Sequence, residues 1–180
     1  TLSNNNVNCI TEDENGDLWV GTSAGLNRFD YATQRFKRYF SDPDDLNSLG
    51  DNVILSLLVD KEGVLWIGTD LGLDCFDPEI EIFRHFKHDP EDPDSLRQGG
   101  VRILFEDKTN RIWVGTSQGL NRLDKEKQRF AHFLHGTNKT PLSELMDIQQ
   151  NKQERLFFLF RSNYLMEFNF ETEAIFPVPM

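Results

Sequence analysis

Three copies of one short phrase recur in this chain of 180 residues: Leu18-Trp19-Val20-Gly21-Thr22, Leu65-Trp66-Ile67-Gly68-Thr69 and Ile112-Trp113-Val114-Gly115-Thr116, each 47 residues after the last. A fixed period of that length demands an array of similar units, each burying its apolar face against a neighbour. Propeller blades of about 40–50 residues and HEAT-type helical pairs both fit it, whereas ankyrin and tetratricopeptide units are shorter, at about 33–34. The period alone leaves sheets and helices open.

The content of the repeat separates them. Each copy starts with an apolar run closed by an aspartate, over residues 7–13, 54–60 and 101–107. Short turns follow, and they end on Gly16, Gly63 and Asn110, residue types that tolerate a left-handed backbone. This is hairpin punctuation. The Trp phrase supplies a second strand, Gly25, Gly72 and Gly119 mark the turn into a third, and Phe36, Phe83 and Phe130 stand in register in a fourth. Four short antiparallel strands per period predict an all-β fold of β-propeller blades, four repeats of about 47 residues each. The repeats run approximately over 1–47, 48–94, 95–139 and 140–180 of a single propeller segment, 1–180. Trp19, Trp66 and Trp113, with Gly21, Gly68 and Gly115, form the structural signature, the indole rings expected where adjacent sheets meet.

The fourth copy is worn. Aligned without gaps, Phe158 takes the Trp place, Phe160 and Tyr164 take the glycine places, and Ile175 takes the Phe place. Aromatic filling of the core explains this, against a rival reading in which Tyr164 and Arg161 line a pocket. The first copy opens in mid-register, Thr1-Leu2 standing where the others have Ser48-Leu49 and Ser95-Leu96. A piece of a larger propeller is therefore expected.

Composition narrows the function classes. A net charge of −11 opposes nucleic-acid binding, which needs clustered cations to displace counterions, and opposes contact with anionic membranes. No apolar run approaches the length of a membrane span. Cys9 and Cys75 do not make a disulfide framework. The connectors, residues 41–49 and 88–96, are acidic and contain Pro43, Pro90 and Pro93, but they lack the residue order of a calcium loop. His85 and His132, like His88 and His135, repeat at the 47-residue period, and residues three apart on a strand point to opposite faces, so no metal site is expected. No nucleophile elbow or phosphate loop occurs, so neither catalytic residues nor a cofactor are expected.

The phrase over residues 16–30, followed by Phe36 and a connector ending Asn47-Ser48-Leu49, resembles the two-component regulator propeller repeat. That resemblance implies a non-catalytic, periplasmic sensor region of a hybrid two-component histidine kinase, recognising a glycan or another small ligand. It implies as partners an oligosaccharide, and further blades of a parent chain or a second copy in a homodimer. The rival classes are a propeller enzyme acting on polysaccharide, lyase or hydrolase, and a protein-interaction scaffold. Connectors and second-to-third-strand turns open on one face of such a fold, which nominates Asn47, Asp70, Asp94, Arg97 and Arg161 as ligand contacts, able to bond sugar hydroxyls or sulfates.

Overall fold

A computed structural model describes residues 1–78, 80–133, 145–161 and 164–178. His135 and the expected repeat boundary at 139/140 lie outside these. Among the described residues the regular elements are all strands. The first sheet holds β1 (Val7–Glu12), β2 (Leu18–Thr22), β3 (Gly25–Asp30) and β4 (Arg35–Tyr39), and the second β5 (Ile54–Val59), β6 (Leu65–Thr69), β7 (Leu73–Asp77) and β8 (Ile82–Phe86). The third holds β9 (Val101–Glu106), β10 (Ile112–Thr116), β11 (Gly119–Asp124) and β12 (Arg129–Phe133), and the fourth β13 (Leu145–Gln150), β14 (Leu156–Phe160), β15 (Leu165–Asn169) and β16 (Ala174–Pro177). Each sheet is an antiparallel meander with its strands in chain order. Four meanders of this kind are propeller blades.

Aspartates that close the first strands build the first hairpin of each blade. Asp60 Oδ1 accepts the backbone N–H groups of Glu62 and Val64, both at 3.0 Å, while its Oδ2 accepts the Trp66 indole N–H at 2.8 Å. Asp13 and Asp107 serve Trp19 and Trp113 in the same way, at 2.8 and 2.9 Å. One carboxylate thus fixes a turn and the orientation of the largest side chain in the blade. The threonines that end the second strands hold the next turn: Thr22 donates its hydroxyl to the Gly25 carbonyl and accepts the Ala24 N–H, and Thr69 and Thr116 repeat the pattern.

The core lies between sheets, in three clusters that each join consecutive blades. Trp19 and Leu26 pack on Ile54, Ile67 and Phe76; Trp66 and Leu73 on Val101, Val114 and Leu123; Trp113 and Leu120 on Leu145, Phe158 and Phe168. Connector leucines Leu49 and Leu96 plug the first two clusters. Glycine in the Trp phrase is required by the closeness of this stacking. A Cβ on Gly68 would lie 2.3 Å from the Val101 carbonyl oxygen, and one on Gly21 2.5 Å from Ile54 Cγ2, distances real Cβ atoms do not tolerate.

The fourth blade corrects the gapless alignment. Asn151 closes the β13–β14 turn, accepting the N–H groups of Gln153 and Arg155 at 3.0 and 2.9 Å, as Asp107 accepts those of Thr109 and Arg111. Counting on from it, Phe157 takes the Trp place, Phe158 the Val114 place and Leu159 the glycine place. Phe160 takes the threonine place, and Tyr164 keeps that of Gly119, its carbonyl receiving the Phe160 N–H as that of Gly72 receives the Thr69 N–H. Phe160 and Tyr164 stand one residue further apart in sequence than Thr69 and Gly72, which a gapless comparison cannot see. Ile175 pairs with Phe168 as Phe130 pairs with Leu123, so its placement stands.

Candidate functional site

Alternating strand direction puts the turns β1–β2 and β3–β4 of each blade at one end of the sheets, and the β2–β3 turns with the inter-blade connectors at the other. The nominated residues fall at the second end, and the connectors there are folded on themselves. Ser48 Oγ donates to the Asp42 carbonyl and accepts its N–H, and Ser95 does the same with Asp89. Asp42 and Asp45 accept the N–H groups of Asp44 and Asn47, and Asp89 and Asp92 those of Glu91 and Asp94. The acidic run is therefore a set of side-chain-to-backbone turns, the reason Asp is used there.

Each connector is then strapped across the following blade. Asp74, 2% exposed, accepts the Gly50 N–H at 2.7 Å and contacts His85 Nδ1 at 2.8 Å, while His85 Nε2 faces the Leu46 carbonyl at 3.1 Å. Both ring nitrogens meet acceptors, so the imidazolium is favoured: the bond to Asp74 raises the His85 pKa, outweighing burial. In the third blade Asn121 and His132 hold Arg97 and Pro93 in the corresponding way. In the first blade Asn27 and Arg38 hold Ser3 and Thr1. His88 Nδ1 faces the Leu96 carbonyl. His85, His88 and His132 are fasteners of the chain.

These straps sort the nominated residues. Asn47 and Asp94 lie on the outer strands, their carbonyls receiving the N–H groups of Phe83 and Phe130, with the Asp94 carboxylate 3.0 Å from Arg129. Asp70 is exposed, and a Cβ on Gly100 would sit 2.9 Å from its Oδ1, which places it beside the end of the connector that carries Arg97. Arg97 lines a cleft of about 210 Å³ with His88, Asp89, Ser95 and His132. Arg161 is exposed and takes in its own blade the turn position that Asp70 takes in the second. Asp70 thus lies beside Gly100 at the boundary of the second and third blades, and Arg97 lines the cleft with the connector that precedes it.

The larger groove, about 430 Å³, lies at the opposite end between the first and second blades, lined by Asp13, Glu14, Arg28, Glu62, Asp77 and Pro78 among others. Arg28 stands 2.7 Å from Asp17 and 3.9 Å from Asp13, and their attraction raises its pKa against the opposing effect of burial. One blade further on, Lys125 takes the place of Pro78 and reaches back to Asp60 at 2.7 Å and Glu62 at 3.2 Å. Burial alone would raise the Asp60 pKa, but Lys125 and the Trp66 indole hold it below the usual range. The sequence reading missed this groove. Its signal is the exchange of lysine for proline directly after the third-strand aspartates Asp77 and Asp124. Trp19 at its base is 1% exposed, so the groove offers charge and hydrogen bonds with no free aromatic platform.

Burial pushes the Cys9 and Cys75 thiols up to about 11, so neither is a nucleophile at neutral pH. Among the described residues, no group of three or more His, Cys, Asp or Glu is placed to hold a metal ion, and no helix is long and apolar enough to cross a membrane.

Residues 1–24, 48–70 and 95–118 match the Two component regulator propeller family. Histidine kinase P4 of Formosa agariphila is 48% identical over 48 residues, a stretch covering 27% of this chain and 3% of that protein. The extracellular domain of BT3049, described as a hybrid two component system from B. thetaiotaomicron, superposes with a TM-score of 0.71 at 24% identity, over 97% of this chain and 30% of that one. A catalytically inactive virginiamycin B lyase from Staphylococcus aureus superposes with a TM-score of 0.72 at 15% identity, over 99% of this chain and 58% of that one. At such identities the superpositions establish the fold. Three of the four blades thus carry a segment that matches the two-component regulator propeller family, and the chain is a run of propeller blades that resembles, in fold, the extracellular domain of a hybrid two component system.

Proposed function

We propose that this chain is the ligand-sensing part of an extracytoplasmic propeller in a two-component histidine kinase, and that it binds without chemical turnover. The observation that carries this reading is the repeat itself, present three times and shared with a histidine kinase. The chain spans only small fractions of these relatives, 3% and 30%. Signalling, the periplasmic location and the rest of the propeller belong to the proposal. The charge chemistry supports binding. Among the described residues, each carboxylate with a displaced pKa, Asp30, Asp60, Asp107, Asp124, Glu167 and Glu173, is displaced downward, whereas a general acid for glycoside cleavage is raised.

The binding face is the end bearing the connectors and β2–β3 turns, where Asp70 offers a carboxylate beside Gly100 and Arg97 a guanidinium in the neighbouring cleft. That pair suits an oligosaccharide with hydroxyl or sulfate groups. Arg161 and the rim residues Asn47 and Asp94 extend the face. Incubation with a panel of neutral and sulfated polysaccharides, followed by melting and product analysis, tests the reading. A sensor gives a rise in Tm without products, and the rise is lost in Arg97→Ala and Asp70→Asn. Product formation shows an enzyme, and silence across the panel favours a protein-interaction scaffold.

A further inference from the structure

The two end faces of the array are not complementary, and their difference assigns an occupant to one of them. Each blade docks on its predecessor through six places. In the second blade these are Ile54, Leu57, Leu65, Ile67, Phe76 and Phe83, all buried or half-buried in the first interface. The third blade presents Val101, Leu104, Ile112, Val114, Leu123 and Phe130 to the second. Register carries the set onto the first blade as Val7, Ile10, Leu18, Val20, Phe29 and Phe36. All six are apolar. Yet Val7 is 48% and Ile10 60% exposed, against 0% for Ile54 and Val101.

Val7, Ile54, Val101 and Leu145 share one place, opposite the last residue of the second strand and beside the first-strand bulge. In three interfaces that side chain seats over the glycine of the preceding blade: Ile54 over Gly21, Val101 over Gly68, Leu145 over Gly115. The fourth blade has Leu159 there, 43% exposed. Its far face also carries Asp147 and Gln149, both exposed, where the third blade has Ile103 and Phe105, and an Arg155 guanidinium lies 5.2 Å over the Phe157 ring. A glycine hollow that receives a valine is absent from this face.

We infer that the first blade's outer face seats a further blade whose second strand carries an aromatic-x-glycine phrase, and that the fourth blade of a second copy does not supply it. The existing interfaces, continued by one place, argue the occupant. The Trp faces of the first three blades are already covered within the chain, and Leu159 would meet Val7 where a glycine is needed. This rests on the propeller assignment and is independent of any ligand, so failure of the polysaccharide test leaves it standing.

Two measurements decide it. Light scattering on the chain as it stands should show no two-fold dimer that Val7→Asp dissolves, and a stable dimer of that kind would overturn the inference. A chain with a second copy of residues 1–47 placed ahead of Thr1 keeps the period, because Thr1 stands in the register of Ser48. In that chain, hydrogen exchange along the original β1 should slow by about tenfold or more as its face becomes part of a cooperative unit. Gly21→Leu in the added copy alone should abolish the slowing, with exchange in β9–β12 serving as a folding control. Equal protection with Gly and with Leu would overturn the inference.

Discussion

The third and fourth blades share a backbone and differ in how it is fastened. In the third, Asp107 is fully buried, and its Oδ2 accepts both the Trp113 indole N–H at 2.9 Å and the Arg111 Nε–H at 2.8 Å. In the fourth, Asn151 keeps the backbone half of the job and Phe157 has no N–H to offer. The two changes belong together. A buried carboxylate is tolerable only while donors surround it, so loss of the indole removes the reason for the charge, and an amide that caps the turn suffices. The comparison teaches that the Asp–Trp pair is one device, and that a blade can lose it whole.

The sharpest way to break that comparison is to truncate the aromatic in each blade. Trp113, fully buried against Phe158 and Phe168, should cost about 3–5 kcal/mol on replacement by Ala. Phe157→Ala, on a half-buried ring over the open face, should cost about 1 kcal/mol. Urea denaturation of the two variants measures the gap, and equal losses would show that the open face is covered in solution.

A second test separates the carboxylate from the turn. In Asp107→Asn an amide NH₂ would confront the Trp113 indole and Arg111 donors, for a loss of about 1–3 kcal/mol. Asn151→Asp should stay within about 0.5 kcal/mol of the parent, because it keeps the acceptor oxygen. Acid adds a check on the same device. Burial works to raise the Asp107 pKa, but Thr109, Trp113 and Arg111 bring it below the ordinary value. Its stabilisation is present above the unfolded pKa of about 3.9 and is lost as pH falls through the lower folded value. The low-pH slope should flatten in Asp107→Asn.

The smallest expected effect compares the straps of the second and third blades, Asp74–His85 against Asn121–His132. The folded pKa of His85 is raised, so its contribution is fully present below the unfolded value of about 6.5 and is lost as pH rises through the higher folded one. Asp74→Asn, which copies the third blade, should remove that slope from a melting curve series run from acid to mildly alkaline pH. An unchanged slope would assign it elsewhere.

The blade architecture was legible because the Trp phrase, its turns and its fourth-strand phenylalanines repeat at one spacing. The fourth blade was legible in kind, with its second strand misplaced by one residue. One extra residue between the second and third strands leaves no mark in a gapless comparison, and with a side-chain period of two that slip exchanges Phe157 and Phe158 between the outer face and the core. The Asn151 that stands for the closing aspartate was the available signal. Of the nominated surface residues, Asn47 and Asp94 are held against the outer strands, because their backbone carbonyls receive the N–H groups of Phe83 and Phe130.

By itself the sequence determined the repeat, its four strands and the glycine that each interface needs, since local propensity and spacing act within a few residues. Only the tertiary structure decided what lies across from each side chain. His85, His88 and His132, the acidic connectors and the conspicuous Asp–Trp pairs proved to be fasteners, some through distant partners, as His85 and Leu46, 39 residues apart, show. The unequal end faces emerged for the same reason. A face is assembled from four strands, and its fit depends on a neighbour that no single strand encodes.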